Sequence, residues 1–412
     1  MTAHSSDRPQ NGPGSPVVQS IATPPGRPPG LAGLLTLRGL PSLAARIGIR
    51  LARRRGQPFR LGNTVIAARH ADVTEALARD LDFCLQPING PKFDQIGFHF
   101  ILGMDRSAEL IEQRRVLYTA LARVDAASLR ARVAKDIART LDAADTVDVV
   151  EGYARPIAAA TANQLFGIAP GNNTAFMDAA RAVFGNSFLN PAGDKGMTDR
   201  ALAAANLLSD WFEAEIDRRR AEKVFGDDMM GQLLSAGVDD DLIRRTLGGM
   251  LVGAIDTTAS CVAKVISVLV GDTELCARAR KDRHDLGRMW GWCNEALRRW
   301  PHGPILLRKA ACDTMLAGTE VKAGNSVILW TQAAMLDASA FPNPQDLRPD
   351  RVDASYLHLG SGLHPCAGRG LNAWQIPMLV AGVLERRPTR LGQMRWAGPF
   401  PAHLVVRLGG QI

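Results

Sequence analysis

No Cys-x-x-Cys pair occurs in this sequence, and its six cysteines (Cys84, Cys261, Cys276, Cys293, Cys312 and Cys366) are scattered. That spacing argues against a disulfide scaffold and a four-cysteine zinc site, and it fits a reducing cytoplasm. Glycine and proline, 39 and 24 of 412 residues, are too few for a collagen-like or low-complexity chain. Long uncharged apolar runs are also missing. Leu31–Leu37 is short and closes at Arg38, and Thr246–Val270 contains Asp256 and Lys264, whereas a membrane span needs about 20 nearly uncharged residues. The first thirty residues lack the apolar core of a signal peptide. Rich in Pro, Gly and Ser, 1–30 reads as a flexible extension ahead of a single domain over 31–412.

What is present describes a folded chain. At 46% hydrophobic and 22% charged it can bury a large core. The formal charge is +8, mostly from arginine, which suits nucleic acid, an anionic membrane or an acidic protein. No helix-turn-helix, zinc-finger or RNA-binding signature accompanies it, so nucleic acid is set aside.

Hydrophobic periodicity predicts a mainly α chain with a small β region. Phe59–Ala68 reads as a strand pair around Gly62-Asn63, and Asp72–Ala78 as a helix. Leu81–Gly103, interrupted by Pro87, Gly90, Pro91, Gly97 and Gly103, reads as loop. Helix follows from Ala108 to about Arg220, with breaks near Asp145–Asp148, Ala169–Asn173 and Asn190–Gly196. Asp239, Asp240 and Asp241 offer an N-cap and first-turn charge for a helix running unbroken to Val270, about 45 Å long. Ile305–Ala310 and Ser326–Trp330 read as strands, and a last helix as starting near Cys366.

The segment Leu359–Gly368, LGSGLHPCAG, carries the chemistry. Gly360 and Gly362 permit tight turns, and Cys366 falls where a helix is about to start. Exposed N–H groups and the positive helix end there favour a thiolate and are expected to lower its pKa. Such a thiolate suits an axial ligand for heme iron, and Gly368 leaves room for a flat macrocycle.

This segment resembles the heme-binding loop of the cytochromes P450, Phe-Gly-x-Gly-x-His-x-Cys-x-Gly. Gly360, Gly362, His364, Cys366 and Gly368 match in register, and Leu359 stands where the family usually has Phe. Glu295-Ala-Leu-Arg298 resembles the family's ExxR motif, with Arg351 as the downstream partner in a buried structural network. Gly253-Ala-Ile-Asp-Thr-Thr258 matches the point where an acid–alcohol pair delivers protons, which would be Asp256 and Thr257. Arg114 falls where a propionate-binding arginine is expected, and Arg308 and His364 suit the remaining propionate contacts. His302, after Pro301, reads as a structural histidine.

The resemblance implies a triangular, mainly α fold with heme b between the long helix and the Cys366 loop. It implies a monooxygenase, in which one oxygen atom of O2 enters a small lipophilic substrate by hydroxylation or epoxidation, in the manner of secondary metabolism. Cys366 would be the iron ligand and supply electronic push. With no flavin or iron–sulfur motif in view, electrons would come from a separate acidic ferredoxin- or flavodoxin-type protein. That donor would dock on a basic face near Cys366 that includes Arg115 and Arg369. The chain is expected to be a cytoplasmic monomer without a membrane anchor. Substrate contacts are expected from 85–103, 172–196, 250–256, 304–307 and around 399–401, with Phe93, Ile96, Phe98, Phe100, Phe184, Phe188, Leu251 and Ile305. Two alternatives stand beside this: a peroxide-driven or hydroperoxide-rearranging heme-thiolate enzyme, and a non-enzymatic heme sensor or carrier.

Overall fold

A computed structural model describes residues 48, 51–52, 54, 56–142, 144–168, 171–190, 193–351, 356–397 and 400–409. The expected extension 1–30 lies outside the described residues, as does Pro399.

Fourteen helices dominate the described part: α1 His70–Ala78, α2 Gln86–Gln95, α3 Ala108–Arg123, α4 Ala126–Asp142, α5 Arg155–Phe166, α6 Asn173–Leu189, α7 Lys195–Glu222, α8 Met229–Ser235, α9 Asp240–Val252, α10 Asp256–Leu269, α11 Thr273–Lys281, α12 Leu286–Arg299, α13 Thr331–Ala334 and α14 Arg369–Glu385. Strands are short: β1 Phe59–Leu61, β2 Thr64–Ala67, β3 Phe83–Cys84, β4 Thr146–Asp148, β5 Leu306–Ala310, β6 Thr314–Leu316, β7 Thr319–Val321, β8 Ser326–Leu329, β9 Thr389–Arg390, β10 Arg395–Ala397, β11 Phe400–His403 and β12 Val405–Arg407. The largest sheet has the order β1-β2-β8-β5-β3. Only its β2–β8 pair is parallel.

Helix starts follow side-chain chemistry. Ser107, Asn172, Asp194, Asp239 and Asp285 each accept a hydrogen bond from a backbone N–H of the first turn they precede. Each such cap contributes about 1 kcal/mol. Two expectations fail. The stretch expected as loop contains α2, because Pro87 sits at the start of the helix, where its missing N–H costs nothing. Gly90 there meets Gly103, and a Cβ on Gly90 would come within 2.9 Å of the Gly103 carbonyl oxygen.

The second failure concerns the long central helix, which is interrupted at 253–255. Gly253 and Ala254 donate to the carbonyls of Met250 and Leu251, three residues back, which tightens the end of α9. Thr257 and Thr258 then donate their hydroxyls to the carbonyls of Gly253 and Ala254. These side-chain bonds take acceptors the helix ladder would otherwise use, a recognised cause of a break. The run Asp240–Leu269 also meets the length and composition of a membrane span, contrary to the reading of the sequence, but 78% of its apolar window is buried against the rest of the protein. α10 packs on α12 and α14 within one large apolar core.

Candidate functional site

The loop before α14 is shaped by its glycines. Gly360 and Gly362 adopt positive φ, 67° and 69°. A Cβ on Gly362 would overlap the Leu77 carbonyl oxygen at the end of α1, so only glycine lets the loop seat there. The Cys366 N–H donates to the Leu359 carbonyl at 2.8 Å and closes the turn. α14 begins at Arg369, three residues later than expected, with Gly368 as its N-cap. A Cβ on Gly368 would lie 3.9 Å from Cys366 Sγ, so the backbone beside the sulfur stays bare.

Cys366 is not a low-pKa thiol in this state. Burial pushes it up, while the Gly368 N–H and the Arg369 charge act in the opposite direction and do not prevail. The expected lowering therefore fails, because the helix starts too late and burial dominates. A coordinated metal cation reverses that balance and removes the proton outright.

Around this loop lie polar groups without partners. Arg308 on β5 is buried and donates only to its neighbour, the Leu307 carbonyl, at 2.8 Å. Burial pulls its guanidinium down to about 10. His364 Nε2 is buried without a hydrogen-bond partner. Burial first, then the charges of Arg308 and Arg114, pulls His364 to about 4. Arg114 on α3 donates to the Leu363 carbonyl and lies 5.5 Å from the Tyr118 ring. A buried cation and an orphaned imidazole are what an anion carried into the site would satisfy. The residues present therefore fit a heme: a glycine backbone beside a thiol, with Arg308, His364 and Arg114 as the groups that would hold its carboxylates.

The helix break lies at the start of α10, which packs on α14. Gly253 is exposed between buried Val252 and Ile255, and a Cβ there would meet nothing within 4 Å. Asp256 is buried, and its Oδ1 accepts from Arg155 Nε at 3.1 Å and Arg181 at 2.6 Å. Its Oδ2 is buried without a partner. These arginines come from α5 and α6, and no local pattern in the sequence points to them. Arg155 also pairs with Glu151 at 3.0 Å and Asp178 at 3.1 Å.

Glu295, Arg298 and Arg351 come together. Glu295 and Arg298 form a two-pronged pair at 2.8 and 2.9 Å with side chains fully buried. Glu295 also accepts from Arg351 Nε at 3.0 Å, the Arg348 N–H at 3.0 Å and the Tyr356 hydroxyl at 2.9 Å. Arg298 spends its remaining donors on the carbonyls of Met335, Pro344 and Asp346. This network ties α12 to the segment that leads into the Cys366 loop. Tyr356 and the Arg348 N–H were not legible as members.

On the outer side, Ala78, Asp80, Arg106, Leu110, Arg114 and Leu363 line part of a groove of about 520 Å³. Arg115 is exposed and paired with Glu112, and Arg369 donates to the Gly360 carbonyl at 3.0 Å.

A family profile described as Cytochrome P450 matches residues 209–387. Cytochrome P450 109 of Bacillus spizizenii is 27% identical over 58% of this chain and 60% of its own length, so the chain spans under two thirds of that relative. Erythromycin C-12 hydroxylase of Saccharopolyspora erythraea is 27% identical over 77% of this chain and 80% of its own length. Among solved structures, a mutant of P450 EryK in complex with erythromycin B has a TM-score of 0.75 at 23% identity, covering 89% of this chain and 96% of its own. Over residues 209–387 this chain is therefore similar to the cytochromes P450, and its fold is the one seen in solved cytochrome P450 structures.

Proposed function

We propose that this protein is a monooxygenase that transfers one oxygen atom of O2 to a lipophilic small molecule, by hydroxylation or epoxidation. Its electrons come from a separate acidic ferredoxin- or flavodoxin-type protein. The observation that carries this reading is the set of a Cys366 flanked by Gly368, a buried Arg308 bonded only to its neighbour's carbonyl, an unpartnered His364, and the Asp256–Thr257 helix break. Relatives named as hydroxylases or hydroxylase/epoxidases support the reaction class.

When bound, heme would supply the oxygen-activating redox chemistry, with Cys366 as the residue that would hold its iron. Arg308, Arg114 and His364 would hold its carboxylates. Asp256 Oδ1 stays anchored between two guanidinium groups, which leaves Oδ2 to take and release a proton. Thr257 is one residue on, and its hydroxyl exchanges its bond to the Gly253 carbonyl for one in the relay. Glu295, Arg298 and Arg351 keep the segment before the Cys366 loop in shape. The donor docks over the groove beside Leu363, which Arg106 and Arg114 line, on a face that includes the exposed Arg115 and Arg369 of a chain of net +8. We place the protein in the cytoplasm as a monomer, consistent with burial of its one span-like helical run among the described residues.

The deciding experiment is the absorption spectrum of the reduced, carbon-monoxide-bound protein. A thiolate ligand gives the red-shifted Soret band, and Cys366→Ala removes it. A histidine-type spectrum in the wild type overturns the assignment. Oxygen- and donor-dependent product formation from a lipophilic substrate panel then tests the reaction.

A further inference from the structure

The turn between α12 and β5 is held at three of its carbonyls, those of Pro301, Gly303 and Pro304. Lys264 Nζ, on α10, donates to the Pro301 carbonyl at 2.7 Å. Its ammonium lies 5.5 Å from the Trp300 ring and 6.0 Å from the Trp396 ring. The Thr331 hydroxyl donates to the carbonyls of Gly303, at 3.2 Å, and Pro304, at 2.9 Å. The Gln332 N–H also donates to Pro304, at 3.0 Å. The carbonyls of Pro301, Gly303 and Pro304 are thus fixed. Two side-chain nitrogens of the turn are not satisfied: Trp300 Nε1 and His302 Nδ1 are each buried with no hydrogen-bond partner. A histidine retained for structure is expected to have that bond.

Its surroundings are aromatic. The His302 ring centroid is 5.7 Å from Phe184 on α6 and 6.4 Å from Phe400 on β11. Phe184 in turn packs against Phe188 at 5.0 Å and Phe400 at 5.2 Å, and Phe188 reaches Phe93 of α2 at 5.9 Å. Two rings, from α6 and β11, therefore contact the imidazole, and Phe188 and Phe93 extend the cluster behind them. Burial, with a smaller effect from the Lys264 charge, pulls His302 to about 3, so the ring is neutral near pH 7. Ser187, three residues beyond Phe184 on the same helix, carries a second buried hydroxyl oxygen without a partner. Arg308 lies further along the strand that this turn enters, which connects the cluster to the heme-side residues.

We infer that His302 is the polar anchor of the substrate pocket and selects a largely apolar molecule bearing a hydroxyl group. A hydroxyl both donates and accepts, so it satisfies a neutral imidazole in either tautomer. A few placed polar groups in an apolar pocket are the usual means of orienting a small ligand. The inference rests on the monooxygenase reading, and it corrects the structural role expected for His302. Lys264 acts through the Pro301 carbonyl as a positioning residue.

The test uses the heme-loaded protein and two probes that differ by one hydroxyl, 1-tetralol and tetralin, titrated by the Soret shift on binding. In the wild type the alcohol is expected to bind more tightly. His302→Phe should reduce the tetralin-to-alcohol Kd ratio about tenfold, the size of one net hydrogen bond, while tetralin affinity stays within about threefold. His302→Asn, whose amide reaches the Nδ1 position, should keep most of the preference. An unchanged ratio in His302→Phe, a parallel loss of both probes, or no binding of 1-tetralol by the wild type would each overturn the inference. The carbon-monoxide spectrum of the same preparations reports separately on the heme-thiolate reading.

Discussion

Replacing Glu295 by Gln tests the network behind the Cys366 loop most directly. The carboxylate accepts five hydrogen bonds: two from Arg298, and one each from Arg351, the Arg348 N–H and the Tyr356 hydroxyl. Gln keeps the shape but has one acceptor oxygen and no charge. Arg298, with a side chain that has no exposed surface, then loses its counter-ion. Breaking a buried pair in this way costs about 3–5 kcal/mol, against a total stability of about 5–15 kcal/mol for a typical domain. Urea unfolding followed by tryptophan fluorescence reads the difference. The pH dependence gives a second check. The Arg298 pair and the other donors outweigh burial and hold Glu295 below the usual carboxylate range. A depressed carboxylate contributes fully above its unfolded pKa of about 4.3 and loses that contribution as pH falls through the folded value. The gap between wild type and variant should therefore be constant from pH 7 to 5 and narrow below about 4.3. A loss under about 1 kcal/mol at pH 7, or a gap that widens in acid, would refute the reasoning.

Other outcomes follow from the same geometry. Lys264→Met should stabilise the protein at pH 7 and below by a few kcal/mol, because burial pulls the folded-state lysine to about 7 against about 10.4 unfolded. That advantage should close as pH rises from 7 to 10, and thermal melts across this range would show it. Gly249→Ala should cost about 1–3 kcal/mol and displace the Phe100 ring, since an added Cβ would overlap it; denaturant midpoints measure this. Asp256→Asn should slow donor-driven turnover about 100-fold while slowing peroxide-driven turnover less, because peroxide brings its own oxygen, protons and electrons. Reduction by the protein donor should slow as salt rises, as stopped-flow absorbance would record.

Features written in neighbouring residues were legible in the sequence. The Asp239 cap, the Gly62-Asn63 hairpin and the Glu295–Arg298 spacing all act over a few residues, and the structure assembles each of them. The glycine loop was legible for the same reason, down to its two positive-φ positions. What escaped depends on chain segments meeting in space. Pro91 and Gly90 read as loop formers, yet contact with Gly103 and packing of Phe93 in the core outweigh their poor helix propensity. The break at Gly253 depends on two threonine hydroxyls competing for carbonyls, which a hydrophobic period cannot register. Arg155 and Arg181 reach Asp256 from other helices, and only the folded chain reveals the pairing. The Cys366 thiol went the other way from expectation because burial, a tertiary quantity, outweighed a local dipole.

The fit of Gly362 against the Leu77 carbonyl bears on how the protein is made. The two residues come from opposite ends of the chain, so the cofactor cradle gains its final shape only once late-synthesised sequence settles against an early one. Ribosome-bound chains ending before the cradle have nothing to load, and truncations that remove α1 leave the loop without its backstop. A group held in that cradle would therefore find its site complete only after the C-terminal part of the chain has folded.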